Sequence, residues 1–276
     1  MTYAYPRPLH ALRSYSYRIG RLAVGLSILF FWLCVGCGHS EKDLANNPKL
    51  LWEVATDAYD RGDWTEARKY YERFTQYFPQ NKQVGQAKLR IADSWYEQYK
   101  FFEAEVHYES FVELYPEHAE VGYAWYRLGL SQKEQVSGIV ARDLRKAREA
   151  IKSFTHFLSL KGADSNTQVL AREHIHELDV KLMNKEFEIG SWYFKLGHYQ
   201  SAFLRFESLL KQFAHLKADQ GERLYLAAVR MIDSAIELKE KGLLTKSREL
   251  FGMFSDHKDY ANVVQKMDRQ DISTWN

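Results

Sequence analysis

After Pro48 the apolar positions recur at intervals of three and four residues almost to the C-terminus, and no run alternates with period two. That periodicity predicts helices and no strands. Within it one arrangement keeps returning: a small residue, an aromatic four later, and a large apolar residue three after that. It reads Ala67, Tyr71, Phe74 in "ARKYYERF" and Ala104, Tyr108, Phe111 in "AEVHYESF". It returns as Ala150, Phe154, Phe157, as Ala202, Phe206, Leu209, and with serine as Ser247, Phe251, Phe254. Spacings of four and three place all three side chains on one helix face, and the small one lets a neighbouring helix approach closely.

Twelve positions upstream stands a second small residue, Ala55, Ala92, Gly190 or Ala235, which marks a partner helix. Gly62, Gly197 and Gly242 fall in the intervening turns at one offset, as a helix stop requires. Pro79 and Pro116 lie twelve after Ala67 and Ala104, where the second helix must end. Gly162 and Ala214 occupy the corresponding places later on. The arrangement is similar to the tetratricopeptide pattern. The predicted class is therefore all-α, an α-solenoid of about five helix-turn-helix repeats over residues 48–83, 84–120, 122–165, 183–216 and 228–262. The small residues of successive second helices are 37, 46, 52 and 45 apart, against the usual spacing of about 34, so helices or loops are extended and the stack is irregular. Trp125, Leu128 and Gly129 mark the first helix of the third repeat, and a loop insertion around "QVSGIVARD" separates it from the second. In such a stack the first helices line a concave surface.

The N-terminus breaks the pattern. The first 36 residues contain Arg7, Arg13, Arg18 and Arg21, no Asp, Glu or Lys, and the apolar run Leu22 to Gly36. A basic region followed by 15 apolar residues has the anatomy of a signal peptide, because such a run spans only about 22 Å of a hydrocarbon core about 30 Å thick. A small residue directly before Cys37, with Leu and Val nearby, resembles the lipobox of bacterial lipoproteins, in which the cysteine becomes lipidated. Three places before Cys37 stands Cys34, where that pattern usually has an aliphatic residue. On this reading residues 1–36 are cleaved, 37–48 form a lipidated flexible tether, and 49–276 form the repeat domain. In lipoproteins an Asp directly after that cysteine commonly retains the protein at the inner membrane, and Gly38 does not.

Cleavage also changes the charge. It leaves 240 residues and removes four arginines, so a formal +2 becomes −2. The electrostatic argument for a nucleic-acid partner disappears with them. No cysteine remains after Cys37, which excludes disulfides, a thiolate nucleophile and cysteine zinc sites from the folded part. "EHIHE" holds His174 and His176 two residues apart, about 200° apart on a helix, so they cannot share a metal as an i, i+4 pair does. With no nucleophile elbow, phosphate loop or H-E-x-x-H in the sequence, the expectation is a protein that is no enzyme and needs no cofactor or metal.

Counting first-helix places two, five, nine and twelve puts Lys49, Trp52, Thr56 and Tyr59, then Gln86, Leu89, Asp93 and Tyr96, then Tyr126, Leu130 and Lys133 toward the groove. Trp52, Tyr59, Tyr96 and Tyr126 are expected to form a platform for an extended, aromatic-containing peptide, with Asp93 and Lys133 for its polar ends. The alternative is that these aromatics pack against their own neighbouring helices.

The segment "FVELYPEHAEVGYAWYRLGLSQ", from Phe111 to Gln132, resembles the BamD family of outer-membrane assembly lipoproteins, also called YfiO or ComL. "LWEVATDAYDRGDWTEA" near the start and "ELDVKLMNKEFEIGSWYFKLGHYQSA" in the fourth repeat extend the resemblance over Leu50 to about Phe213. It implies a five-repeat scaffold anchored by lipid at Cys37 in the outer membrane and facing the periplasm. The implied partners are a BamA-like Omp85 barrel insertase, held by the later repeats, and unfolded outer-membrane proteins, engaged near the first repeats. Other assembly lipoproteins are further partners on the same ground. The competing reading is a tetratricopeptide lipoprotein of another envelope machine, such as one coordinating peptidoglycan synthesis or secretion.

Overall fold

The computed structural model describes residues 40–136, 144–162, 164–270 and 275. The signal segment, the lipobox with Cys34 and Cys37, and residues 137–143 of the insertion lie outside them. The described residues are helical throughout, with no strand among them.

A short unit ends at Glu53 and a long one begins at Val54. The first contains helix α1 (Glu41–Asn46) and the start of α2 (Pro48–Asp60). The stretch expected as a flexible tether holds this short helix. The cause is local: the Ser40 hydroxyl accepts from the Asp43 N–H at 3.3 Å, and Glu41 and Asp43 suit the first turn. In this unit Lys49 lies 3.8 Å from Glu53, and Trp52 is half-buried.

The long unit continues with α3 (Trp64–Tyr77), α4 (Val84–Glu97), α5 (Phe101–Leu114), α6 (Val121–Glu134) and α7 (Arg145–Ser159). It runs on through α8 (Ser165–Lys195), α9 (Tyr199–Phe213), a 3-10 turn (Ala214–Leu216) and α10 (Lys217–Leu238). Helix α11 (Lys241–Phe251), a second 3-10 turn (Gly252–Phe254) and α12 (Tyr260–Asp268) complete it. From α3 to α11 each helix packs against the next in chain order.

The five repeated triplets make the core of this stack, each of the fifteen side chains being at most 3% exposed. Burying a large apolar side chain is worth about 1.5–3 kcal/mol, so the triplets supply the main cohesion between paired helices. The small residues opposite them serve close approach. A Cβ added at Gly129 would stand 2.7 Å from the Phe154 ring, and one at Gly190 would stand 2.8 Å from Phe206. No chemistry is asked of these glycines; they are the holes that receive the aromatic of the next helix.

The turns follow the sequence only in part. Gly62 and Gly197 adopt φ of 75°, as a left-handed helix stop needs. Five residues before Ala104 the same conformation is held by Tyr99, at φ 58°, and in the fifth repeat by Lys239, at φ 55°. Gly242, expected in that turn, lies inside α11, because the left-handed residue comes three positions earlier. Helices α3 and α5 stop before Pro79 and Pro116 as expected, and Gly162, at φ 81°, turns the chain after α7. The fourth and fifth first helices begin well before the expected boundaries at 183 and 228. Helix α8 runs unbroken for 31 residues, and α10 spans 22 across a kink at Gln220.

Candidate functional site

Of the predicted groove residues, Tyr59 of α2 meets the carboxylate of Asp93 on α4, and Arg90 of α4, Tyr108 of α5 and Tyr123 of α6 join it there. Asp93 on α4 is fully buried. Its Oδ1 accepts from the Tyr108 hydroxyl at 2.5 Å and the Tyr123 hydroxyl at 2.9 Å. Its Oδ2 accepts from the Tyr59 hydroxyl at 3.2 Å and from Arg90 at 2.8 Å. A buried charge survives only when paired and fully hydrogen-bonded, and here four donors from three repeats supply that.

Arg90 also reaches Glu120 at 3.2 Å, where Gln86 donates at 2.7 Å. Arg127, one repeat later, donates to the Tyr108 hydroxyl at 3.1 Å and to Glu97 at 2.6 Å, and its guanidinium lies 3.7 Å above the Tyr96 ring. Burial pushes the phenols of Tyr59, Tyr108 and Tyr123 well above the ordinary tyrosine range, and the Asp93 charge adds to it. For Arg90 and Arg127 burial opposes the charge, but the hydrogen bonds and negative partners outweigh it and hold both cationic. All the hydroxyls therefore stay protonated and committed to Asp93 or its neighbours.

Next to this cluster, Tyr123, Tyr126 and Arg127 wall a cavity of about 510 Å³ that Val121, Phe157 and Leu160 close from the α6 and α7 side. Tyr126 is half-buried against Phe157 at 5.5 Å and Phe154 at 5.7 Å, and His174 stacks on it at 6.3 Å. Burial, then the Lys133 charge, depresses the affinity of His174 for a proton. His176 points elsewhere, to Asp219 at 2.9 Å, so the two histidines part as their spacing predicts. No group of three His, Cys, Asp or Glu side chains that could hold a metal occurs among the described residues.

Some expected positions shift. Asp93 is beneath the aromatic face and already saturated, so it organises the groove residues; its burial withholds it from the polar end of a ligand. Leu89 is in the core. Lys133 is held by Glu177 at 2.9 Å, and hydrogen bonds from Lys133 and then Lys181 pull the Glu177 carboxyl down to about 2. Thr56 meets the Tyr71 hydroxyl at 3.3 Å, and Leu130 is half-buried beside the core. Arg90, Tyr108, Tyr123 and Arg127 were not foreseen. One signal was available: Arg90 and Arg127 are 37 apart, the same interval that separates Ala67 from Ala104.

The fold defines the chain as a stack of helix pairs packed in chain order. Its family follows: the chain belongs to the YfiO family, described as outer membrane lipoprotein, whose pattern it matches over residues 44–240. Among solved structures it is similar to a Podospora anserina kinesin light chain-type protein with nearly identical TPR-like repeats, at 12% identity and a TM-score of 0.33, over 81% of this chain and 99% of that one. A point variant of that protein gives 12% identity and a TM-score of 0.34, over 84% and 100%. No curated protein sequence matches the chain. The repeat assignment rests on the chain's own register of buried triplets. No described helix is long and apolar enough to cross a membrane.

Proposed function

We propose that this lipoprotein is a non-catalytic scaffold of outer-membrane β-barrel assembly, anchored by lipid at Cys37 and facing the periplasm. Its aromatic face of Tyr59, Tyr96, Tyr123 and Tyr126 receives extended segments of unfolded outer-membrane proteins, while the later repeats hold a BamA-like barrel insertase. The family match over residues 44–240 is the observation that carries the reading. The geometry supports its first half: half-buried rings bind peptide side chains at low entropic cost, and Arg127 stacked on Tyr96 adds a fixed cation. Hydrogen bonds to Asp93 fix Tyr59 and Tyr123 before any ligand arrives, which spares the ordering cost of binding.

The test is purification of the lipidated protein from detergent-solubilised membranes. Recovery of a large barrel protein with periplasmic repeats is expected. If instead peptidoglycan synthases or secretion components are recovered without that barrel, the other envelope-machine reading replaces this one.

A further inference from the structure

On α4 and α6 the arginines are neutralised within the chain: Arg90 by Asp93 and Glu120, Arg127 by Glu97. Helix α10 carries Arg223 and Arg230 with Leu226 between them, at spacings of three and four that put all three on one helix face. Neither arginine pairs with a carboxylate among the described residues. Both lean instead on the ring of Phe187 from α8, their guanidinium carbons 5.2 Å and 5.0 Å from its centre. Two cations that share one ring in this way stand within about 10 Å of each other, where like charges repel.

Packing fixes the arrangement. Phe187 rests 6.0 Å from Phe206, whose ring fills the hole left by Gly190 on the same helix as Phe187. Arg230 donates to the Ser191 hydroxyl, which in turn donates to the Phe187 carbonyl at 2.6 Å. Its guanidinium is thus held in place without a counter-charge. Leu226 is 41% exposed, and a cavity of about 980 Å³ has Phe187, Arg223 and Leu226 in its wall. The carboxylates of that cavity are engaged elsewhere. Asp256 binds Lys217 at 2.8 Å, Asp219 meets His176 at 2.9 Å and Gln220 at 3.1 Å, Glu222 lies 3.4 Å from His257, and Asp259 follows Lys258 in the chain.

We propose that Arg223, Leu226, Arg230 and Phe187 form a docking site for an acidic segment of a partner protein. Two of its carboxylates pair with the arginines, and an apolar side chain between them covers Leu226 and the edge of Phe187. A guanidinium stacked on a ring keeps its N–H edge free, and a carboxylate takes that edge through two parallel hydrogen bonds. An extended chain rises about 3.3 Å per residue, so acidic residues two or three apart span the gap between the arginines. Charge complementarity selects this occupant: it supplies to α10 the counter-charges that α4 and α6 find inside the chain. The site goes beyond the insertase reading, since it asks only that the segment be acidic, whichever chain carries it.

Fluorescence anisotropy on the mature chain tests this, with a fluorescein-labelled peptide of Glu-Leu-Glu repeats as the probe and its Gln-Leu-Gln counterpart as the neutral control. The acidic peptide is expected to bind about tenfold more tightly than the neutral one, by a margin that shrinks as salt rises. Arg223→Gln with Arg230→Gln is expected to remove most of that margin, with circular dichroism at 222 nm unchanged. Arg223→Gln alone, at an exposed position, is expected to cost about threefold. Lys82→Gln with Lys152→Gln removes the same charge from exposed positions elsewhere and is expected to change affinity by less than about twofold. Equal losses in the two double variants, or no loss in Arg223→Gln, overturn the proposal. So does capture of phosphatidylglycerol vesicles through these arginines by a chain indifferent to the acidic peptide, which makes the face a lipid site.

Discussion

Asp93→Asn separates the charge at the centre of the aromatic face from its shape. The side chain is fully buried and accepts from Tyr59, Tyr108, Tyr123 and Arg90. An amide keeps one acceptor oxygen and turns an NH2 toward two of the four donors. At least two donors lose their acceptor, and Arg90, with a side chain only 24% exposed, loses its closest negative partner. Breaking a buried charged pair from one side costs about 3–5 kcal/mol, and stranding a buried hydroxyl costs about 1–3 kcal/mol. Allowing for rearrangement toward Glu120, the expected loss is about 3 kcal/mol. Urea unfolding followed by circular dichroism at 222 nm and by tryptophan fluorescence measures it, since the two probes coincide only if the stack unfolds as one unit. Glu97→Gln is the control: that carboxylate is 40% exposed, and its loss should cost less than about 1 kcal/mol. If Asp93→Asn costs no more than Glu97→Gln, the carboxylate is not what organises this face.

Further expectations concern single positions. Gly190→Ala forces a methyl to within 2.8 Å of Phe206 and should destabilise by about 1–3 kcal/mol, read as a lower urea midpoint. Tyr99→Gly should raise stability by about 0.5–1 kcal/mol, because Tyr99 holds a left-handed backbone where Gly62 and Gly197 stand in other repeats; a lowered melting temperature would contradict this. Glu177, depressed to about 2, contributes stability that is complete above its unfolded value near 4.5 and is lost as pH falls toward 2. At 45% exposure that contribution stays below about 1 kcal/mol, and Lys133→Met should shrink the loss seen between these pH values in acid titrations. Tyr96→Ala together with Tyr126→Ala should weaken an extended aromatic-rich peptide by about 1–3 kcal/mol in fluorescence anisotropy, with helicity unchanged.

The fold was legible because its cohesion is periodic. Five copies of a small-aromatic-apolar triplet announce five buried seams, and each triplet is in the core. What periodicity does not carry is conformational accommodation: nothing in "EQYKFF" signals that Tyr99 takes the place of a glycine. The candidate face was legible in its aromatic content and misjudged in its polar part. Asp93 looked like an exposed end group because a first-helix place does not reveal that Tyr59, Tyr108 and Tyr123 arrive from three different helices to cover it. Long-range hydrogen bonds of this kind depend on which helices become neighbours.

The central claim is that the α2–α4–α6 face receives unfolded outer-membrane proteins. The most direct measurement is photo-crosslinking in intact envelopes, with a benzophenone amino acid replacing Tyr123 on that face or Glu109 on the outer side of α5. Crosslinks from position 123 to newly exported barrel proteins, chased away as those proteins fold and absent from position 109, are the predicted result. Equal labelling from both positions, or none from position 123 while barrel proteins still accumulate, would contradict the account.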